Sequence, residues 1–155
     1  MVLQPYVCSA LTELSEKEKT IFKRFLSQIG DVCEELTGVR AFVPHEHFDP
    51  DIHPHFTPTQ VDEAERNQVC CNTSLLIVVA YAPSWGGGIE VEMANNHGVP
   101  GILIGAQEKF EARLVSRLLR GNPAIKEEVP YETFDHAIEL LRGVIPRYLP
   151  VLAPV

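Results

Sequence analysis

Clusters of basic residues are missing from this chain. Its 155 residues contain 13 Lys and Arg against 21 Asp and Glu, for a formal net charge of −8. Proteins that bind a polyphosphate backbone gain affinity by replacing counterions with basic side chains, so polymeric DNA or RNA is not an expected partner. No stretch reaches the roughly 18 apolar residues of a membrane span, and the N-terminus lacks a signal-peptide pattern. We expect a cytoplasmic protein with no membrane partner.

Cysteine pairs and nucleotide motifs are also absent. The four cysteines have no CxxC spacing, which argues against a thiolate zinc site and favours buried, reduced thiols. There is no Walker loop and no GxGxxG fingerprint, so no nucleotide cofactor is indicated. The hydrophobic fraction of 45% and the charged fraction of 22% are ordinary for one globular domain, which we expect to cover residues 1–155.

The pattern that is present alternates strands with helices. Apolar stretches predict strands at 3–10, 39–43, 74–82, 99–105 and 125–131. Amphipathic periodicity and capping residues predict helices at about 15–37, 59–72, 89–97, 107–120 and 132–149. This order predicts a three-layer α/β/α sandwich with a five-stranded, mainly parallel sheet. Ligands of such sheets bind beyond the carboxyl ends of the strands, so the loops at 8–14, 44–58 and 81–88 are expected to share one crevice.

One of these loops, "PSWGGGIEVEMA" at 83–94, sets three glycines before two glutamates. Glycines between a strand and a helix permit positive φ and let a ligand approach the backbone, although a simple tight turn is the plain alternative. At about 100° per residue, Glu90 falls within the apolar arc of the helix and Glu92 falls opposite, with the asparagines. Glu90 is therefore the inward-facing acid, either bonded to its own helical turn or available for chemistry.

The stretch "APSWGGGIEVEMANNHGVPGILI" resembles the nucleoside 2-deoxyribosyltransferase-like superfamily, especially its 2'-deoxynucleoside 5'-monophosphate N-hydrolases. A Pro-Ser-x-Gly turn, a Glu that opens a helix and a "GxP" before the next strand carry the resemblance. In order of elements, the similarity covers about residues 4–121. It implies a Rossmann-like or flavodoxin-like fold, usually a homodimer or larger, that cleaves an N-glycosidic bond without a cofactor.

The resemblance also implies roles for particular residues. Glu90 falls on the family's nucleophile, and Ser84 with the backbone of Gly86, Gly87 and Gly88 matches a turn that holds ribose or phosphate. Ser116 matches a serine that reaches the phosphate from the neighbouring subunit. The family's second acid falls on Arg66 by ungapped counting; of the nearest acids, Asp62 and Glu65, we prefer Glu65.

The first loop departs from the family pattern. It reads "CSALTE" at 8–13, without the Gly-rich stretch or the Arg that binds phosphate in the monophosphate hydrolases. Recognition of a phosphate is therefore in doubt. The substrate-binding candidates from this strand and loop are Tyr6, Ser9, Ala10 and Leu11, and Trp85 is a candidate stacking surface from the glycine loop.

The segment "HEHFDPDIHPHF" at 45–56 is rich in histidine. Metal ligation, a solvated loop and a substrate lid are the three interpretations. The spacing matches no HExxH or zinc-finger pattern, so we predict no metal. As part of a lid, His45 or His47 would stack on a base or protonate it as it leaves.

Together these features predict an N-glycosidase or deoxyribosyltransferase that acts on a nucleoside or a nucleoside 5'-monophosphate, with Glu90 as nucleophile. The alternatives are a nucleotide-binding sensor without turnover, an NAD glycohydrolase and a metal-dependent hydrolase that uses the histidines. For the glycohydrolase, the interval from Trp85 to Glu90 is one residue longer than is common. The expected partners are a small nucleoside or nucleotide and a second copy of the chain.

Overall fold

Strands and helices alternate through residues 3–153, the part of the chain that the structure, a computed structural model, describes. The strands are β1 (Gln4–Ser9), β2 (Thr73–Val79), β3 (Gly101–Ala106) and β4 (Ile125–Tyr131). The helices are α1 (Glu16–Thr37), α2 (Pro44–Phe48), α3 (Pro58–Asn72), α4 (Trp85–Asn96), α5 (Gln107–Glu111), α6 (Arg117–Arg120) and α7 (Phe134–Val144), with a 3-10 turn at Ile145–Arg147. Within residues 3–153, no helix is long and apolar enough to cross a membrane.

The strands form one parallel sheet in the order β1-β2-β3-β4. The predicted fifth strand at 39–43 is wrong for the described chain, because that segment makes a single parallel bridge, Tyr6 to Phe42. It leaves the sheet at Pro44, which opens α2 and has no N–H to continue a ladder. Counting the bridge, the order of segments is the 2-1-3-4-5 of flavodoxin-like sheets.

Two helical layers cover the sheet, which confirms the predicted three-layer class. Because side chains alternate across a strand, Leu75 and Ile77 face α1 and α7 while Leu76 and Val78 face α3 and α4. Each face has its own cluster of fully buried aliphatic and aromatic side chains. Burying both faces of β2 is what its continuous apolar run predicted.

Most helix ends lie where their capping residues predicted. Ser15 and Thr57 each form a capping box at the start of α1 and α3. Gly38 and Gly98, which follow α1 and α4, have φ of 77° and 68°, the left-handed backbone that glycine adopts most easily.

Three predicted helices differ from the structure. The helix predicted at 132–149 ends at Val144, where the 3-10 turn at Ile145–Arg147 follows. The helix predicted at 89–97 begins four residues earlier, at Trp85, because Ser84 caps it by accepting a hydrogen bond from the Gly87 N–H. The helix predicted at 107–120 is split into α5 and α6: Arg113 takes a φ of 59°, and Ser116 starts a new helical turn as its cap. The carboxyl edge of the sheet is therefore bordered by several short helical segments.

Candidate active site

A pocket of about 250 Å³ opens at the carboxyl edge of the sheet. Three segments meet there, as the sequence predicted: the loop after β1, the region of α2, and the residues that begin α4. The candidates in its wall are Ser9, Ala10, Leu11, His45, Glu65, Ser84, Trp85, Gly86, Gly87 and Glu90. The parallel order of the strands places these chain segments at one edge.

Glu90 is one of two buried acids in the wall of this pocket as the structure describes it, with Asp49 the other. Only 7% of the Glu90 surface is exposed, whereas Glu92, two positions later, is exposed and accepts a hydrogen bond from Asn122 at 2.8 Å. The helical phase predicted this division between the two acids. Ile89, the reference point of the predicted apolar arc, is 54% exposed, because the buried side of α4 centres on Val91 and Ala94.

Tyr6 holds one oxygen of this acid. The Tyr6 side chain is fully buried in β1, and its hydroxyl donates a hydrogen bond of 2.8 Å to Glu90 Oε1. The structure therefore places Tyr6 behind Glu90 and not in the wall of the pocket, where the substrate-contact prediction puts it. A hydroxyl in this position orients the carboxyl group and leaves Oε2 to face another partner.

Glu65 on α3 is the acid nearest in effect to Glu90. It lines the same pocket, and each carboxyl group influences the pKa of the other; within residues 3–153 no hydrogen bond satisfies the buried Glu90 Oε2. Two carboxyl groups that influence each other in this way repel when both are ionised, so their protonation is coupled. The structure thus brings together the two acids that the sequence singled out.

The environment of the pair raises both pKa values. Burial raises the pKa of Glu90 to about 8, and the negative charge of Glu65 adds to the rise, although the neighbouring Cys8 thiol and the hydrogen bond from Tyr6 act in the opposite direction. Burial also raises the pKa of Glu65 above its ordinary value. With a pKa of about 8, Glu90 keeps its proton at neutral pH, and its ionisation is coupled to that of Glu65.

Cys8 and Gly87 pack closely beside the acid pair. The Cys8 thiol, also fully buried, donates to the Gly87 carbonyl at 3.6 Å, and burial raises the pKa of this thiol. A Cβ on Gly87 would lie 3.1 Å from Ser84 Oγ and 3.3 Å from Cys8 Sγ, whereas one on Gly86 or Gly88 would meet open space. Only the middle glycine is required by close packing.

The glycines do not form the positive-φ turn that the sequence suggested. Within residues 3–153, positive φ among glycines occurs at Gly38 and Gly98, while Gly86, Gly87 and Gly88 are helical residues of the first turn of α4. The ligand-facing backbone is therefore a helix start, which directs free N–H groups and partial positive charge toward the pocket.

The four histidines of the segment at 45–56 lie in different surroundings. His45 lines the pocket, its Nε2 lies 3.3 Å from Ser27 Oγ, and burial lowers its pKa. His47 stacks on Phe42 with 4.4 Å between ring centroids and is outside the pocket wall. His53 and His55 pack beside Phe56, farther along the loop. In residues 3–153, no group of three or more His, Cys, Asp or Glu side chains is arranged to hold a metal.

Sequence reasoning missed the anchor of this loop. Asp49 is 1% exposed, forms an ion pair with Lys23 of α1, and accepts a hydrogen bond from the Asp51 N–H at 3.0 Å. A buried ion pair with these added bonds ties α2 to α1. The only local signal was an Asp-Pro pair in a histidine-rich stretch, and nothing in it identified Lys23, 26 positions earlier, as the partner.

A second, larger cavity of about 780 Å³ adjoins the first on the other side of the start of α4. Ser116 lies in its wall and does not reach the acid pair, since its hydroxyl accepts a hydrogen bond from the Leu119 N–H. Trp85, Leu114 and Leu118 border the cavity with 92%, 70% and 87% of their surfaces exposed. Trp85 thus lies at the rim between the two cavities, open to solvent.

A parallel sheet between two helical layers, with an acidic pocket at its carboxyl edge, places the chain in the Rossmann-like α/β class. Two solved structures share this fold. A CMP N-glycosidase of Clostridium botulinum has a TM-score of 0.59 at 18% identity, covering 91% of this chain and 99% of that one. A conserved protein of Enterococcus faecalis V583 has a TM-score of 0.59 at 14% identity, covering 92% and 99%. No protein-family model and no curated protein matches the sequence.

Proposed function

We propose that this protein cleaves the N-glycosidic bond of a nucleoside or nucleoside 5'-monophosphate, with Glu90 as the nucleophile. The observation that carries the proposal is the state of the Glu90 carboxyl group. One oxygen is held by Tyr6, the other is buried with no hydrogen bond from residues 3–153, and a second carboxyl group, that of Glu65, lines the same small pocket. The fold shared with a CMP N-glycosidase supports the same chemistry.

The first step forms a bond from Glu90 Oε2 to the anomeric carbon of the sugar while the bond from that carbon to the base breaks. The bonding electron pair leaves with the base. The proton held by Glu90 moves to Glu65 as Glu90 attacks, and it passes from Glu65 to the base, so the base departs neutral. Glu90 is then a glycosyl ester, and Glu65 is an ionised carboxylate.

The second step releases the sugar. Water attacks the anomeric carbon, Glu65 accepts a proton from that water, and Glu90 leaves as a carboxylate, which restores the single proton of the two acids. If a second base is the acceptor instead of water, its nitrogen attacks the same carbon and the protein acts as a transferase. Either course uses Glu65 first as an acid and then as a base.

A second copy of the chain is part of the proposal. Trp85, Leu114 and Leu118 expose large apolar side chains around one cavity, which is typical of a surface that another protein covers. Ser116 lies in the same wall, where a neighbouring chain would pack against it. We propose a homodimer or larger homo-oligomer assembled through this face.

The experiment is an assay of released base by liquid chromatography over a panel of nucleosides and their 5'-monophosphates. We expect wild-type protein to release base, and Glu90→Ala to lower the rate at least about a thousandfold, because the nucleophile is lost. Glu139→Ala is the control: it removes an exposed acid of α7 that lies outside the walls of both cavities, and it should keep nearly the full rate.

Two results would contradict the proposal. One is release of base by Glu90→Ala at the wild-type rate. The other is nucleotide binding by wild-type protein with no product from any substrate, which would favour a non-catalytic sensor on the same fold.

A further inference from the structure

We infer that the pocket selects a nucleoside with a free 5'-hydroxyl and discriminates against the same nucleoside carrying a 5'-phosphate. This inference rests on the proposed function, and it narrows the substrate class of the same site. The acidic side chains around the pocket outnumber the free basic ones, and this holds for any orientation of a bound ligand.

The pocket wall is acidic. Glu13, Asp49, Glu65 and Glu90 line it, and among the described residues 3–153 its wall contains no lysine or arginine. Glu65 and Glu90 lie in the wall, and Glu13 is exposed at the rim, so three carboxyl groups with no lysine or arginine partner in the described wall face a bound ligand. A phosphate monoester brings about 1.5 to 2 further negative charges at neutral pH.

The nearby cations are already engaged. Lys23 forms an ion pair with Asp49, which makes that acid neutral as a pair and holds the lysine away from other anions. Lys109 borders the larger cavity, where it donates a hydrogen bond to the Tyr81 carbonyl and lies 4.6 Å from the centre of the Tyr81 ring. Freeing either lysine for a phosphate would break existing contacts.

The partial positive charge at the start of α4 is too small to offset the acidic side chains of the pocket. A helix start offers about half of a positive charge, and here Ser84 already accepts the Gly87 N–H at 2.9 Å. The three carboxyl groups of Glu13, Glu65 and Glu90 in the pocket wall lie against this partial charge. These N–H groups are therefore suited to a neutral sugar hydroxyl, which needs a donor but no counter-charge.

A phosphate bound anywhere in the pocket would lie close to these acids. A sphere with the volume of the pocket is about 8 Å across, no larger than the screening length of roughly 8 to 10 Å at ordinary ionic strength. A phosphate inside the pocket therefore lies within about one screening length of the carboxyl groups, so salt weakens the repulsion between them only in part. Like charges brought together in this way reduce affinity, so we expect at least about a tenfold preference for the nucleoside.

The test measures kcat/KM for cytidine and cytidine 5'-monophosphate, and for the matching pairs of the other bases, with the wild-type chain. The nucleoside should be the better member of the preferred pair by at least about tenfold. Glu13→Gln should narrow this ratio by raising the rate on the monophosphate. Glu139→Gln, which removes an exposed acid of α7 outside the pocket wall, should leave the ratio unchanged.

Calorimetry measures the affinity for each nucleoside and its monophosphate, and it tests the inference even if neither is cleaved. Tighter binding of the nucleoside supports it. Equal or tighter binding of the monophosphate overturns it, and so does equal or faster cleavage of the monophosphate or the absence of binding by either ligand. If the protein releases base but prefers the monophosphate, the proposed function holds and this inference fails. If it binds the nucleoside more tightly but releases no base, the proposed function fails and this inference holds.

Discussion

The Glu90 carboxyl group has the most unusual environment of any acid described in this chain. It lies beneath a small pocket, bonded to Tyr6 and facing Glu65. Its burial would be costly for an ionised carboxylate, and the proton that its raised pKa retains removes that charge. The proposed mechanism delivers this proton, through Glu65, to the leaving base.

The raised pKa of Glu90 predicts how stability changes with pH. The folded protein keeps a proton that the unfolded chain releases above the ordinary value of 4.5, so folding becomes less favourable as pH rises from 4.5 toward about 8. Glu90→Gln removes this ionisation and keeps an acceptor for Tyr6. We expect the variant to exceed wild type in free energy of unfolding by about 1 to 3 kcal/mol near pH 8 and by much less near pH 5.

Urea denaturation of both proteins at the two pH values measures this difference. Glu92→Gln, which changes an exposed acid, serves as the control and should show no such dependence. A wild-type protein more stable than Glu90→Gln at both pH values would show that ionised Glu90 is stabilised in the fold.

At the scale of elements, the start of α4 decides where the nucleophile lies. Ser84 fixes the first turn, Gly87 lets that turn pack on Cys8, and Glu90 follows one turn later. The neighbouring glycines have no such packing role. Mutation can therefore distinguish the packing role of Gly87 from that of its two neighbours.

Gly87→Ala and Gly88→Ala should therefore behave differently. The added methyl at Gly87 meets Ser84 and Cys8, so the first turn must shift; we expect a loss of about 1 kcal/mol in stability and about tenfold in base release. At Gly88 the methyl meets open space, and the better helix propensity of alanine should raise stability by up to about 1 kcal/mol with activity unchanged.

Thermal unfolding and the chromatographic assay measure the two effects. Equal behaviour of the two variants would mean that contact with Cys8 does not position α4.

At the scale of the whole molecule, the two sides of α4 have different tasks. One side meets the acidic pocket, and the other faces the larger apolar cavity bordered by Leu114 and Leu118. A second chain seated on the apolar side would cover these side chains and rest against the start of the helix that carries Glu90. Assembly and catalysis would then share one element.

Leu118→Glu tests this assembly. We expect sedimentation to show a dimer or larger oligomer for wild type and a monomer for the variant, because a charge placed in an apolar interface must be desolvated. Ile21→Glu is the control, since Ile21 is an apolar residue 49% exposed on α1, on the opposite face of the sheet. A monomeric wild type would contradict the proposed interface.

The sequence by itself determined the layered fold, most helix ends and the inward direction of Glu90. These depend on local rules: the two-residue and 3.6-residue periods, and caps that act within one turn. The tertiary structure alone decided that 39–43 makes a single bridge, that Tyr6 bonds to Glu90, and that Lys23 pairs with buried Asp49. Those contacts join residues 26 to 84 positions apart, whose meeting depends on packing of the whole chain and not on any local pattern.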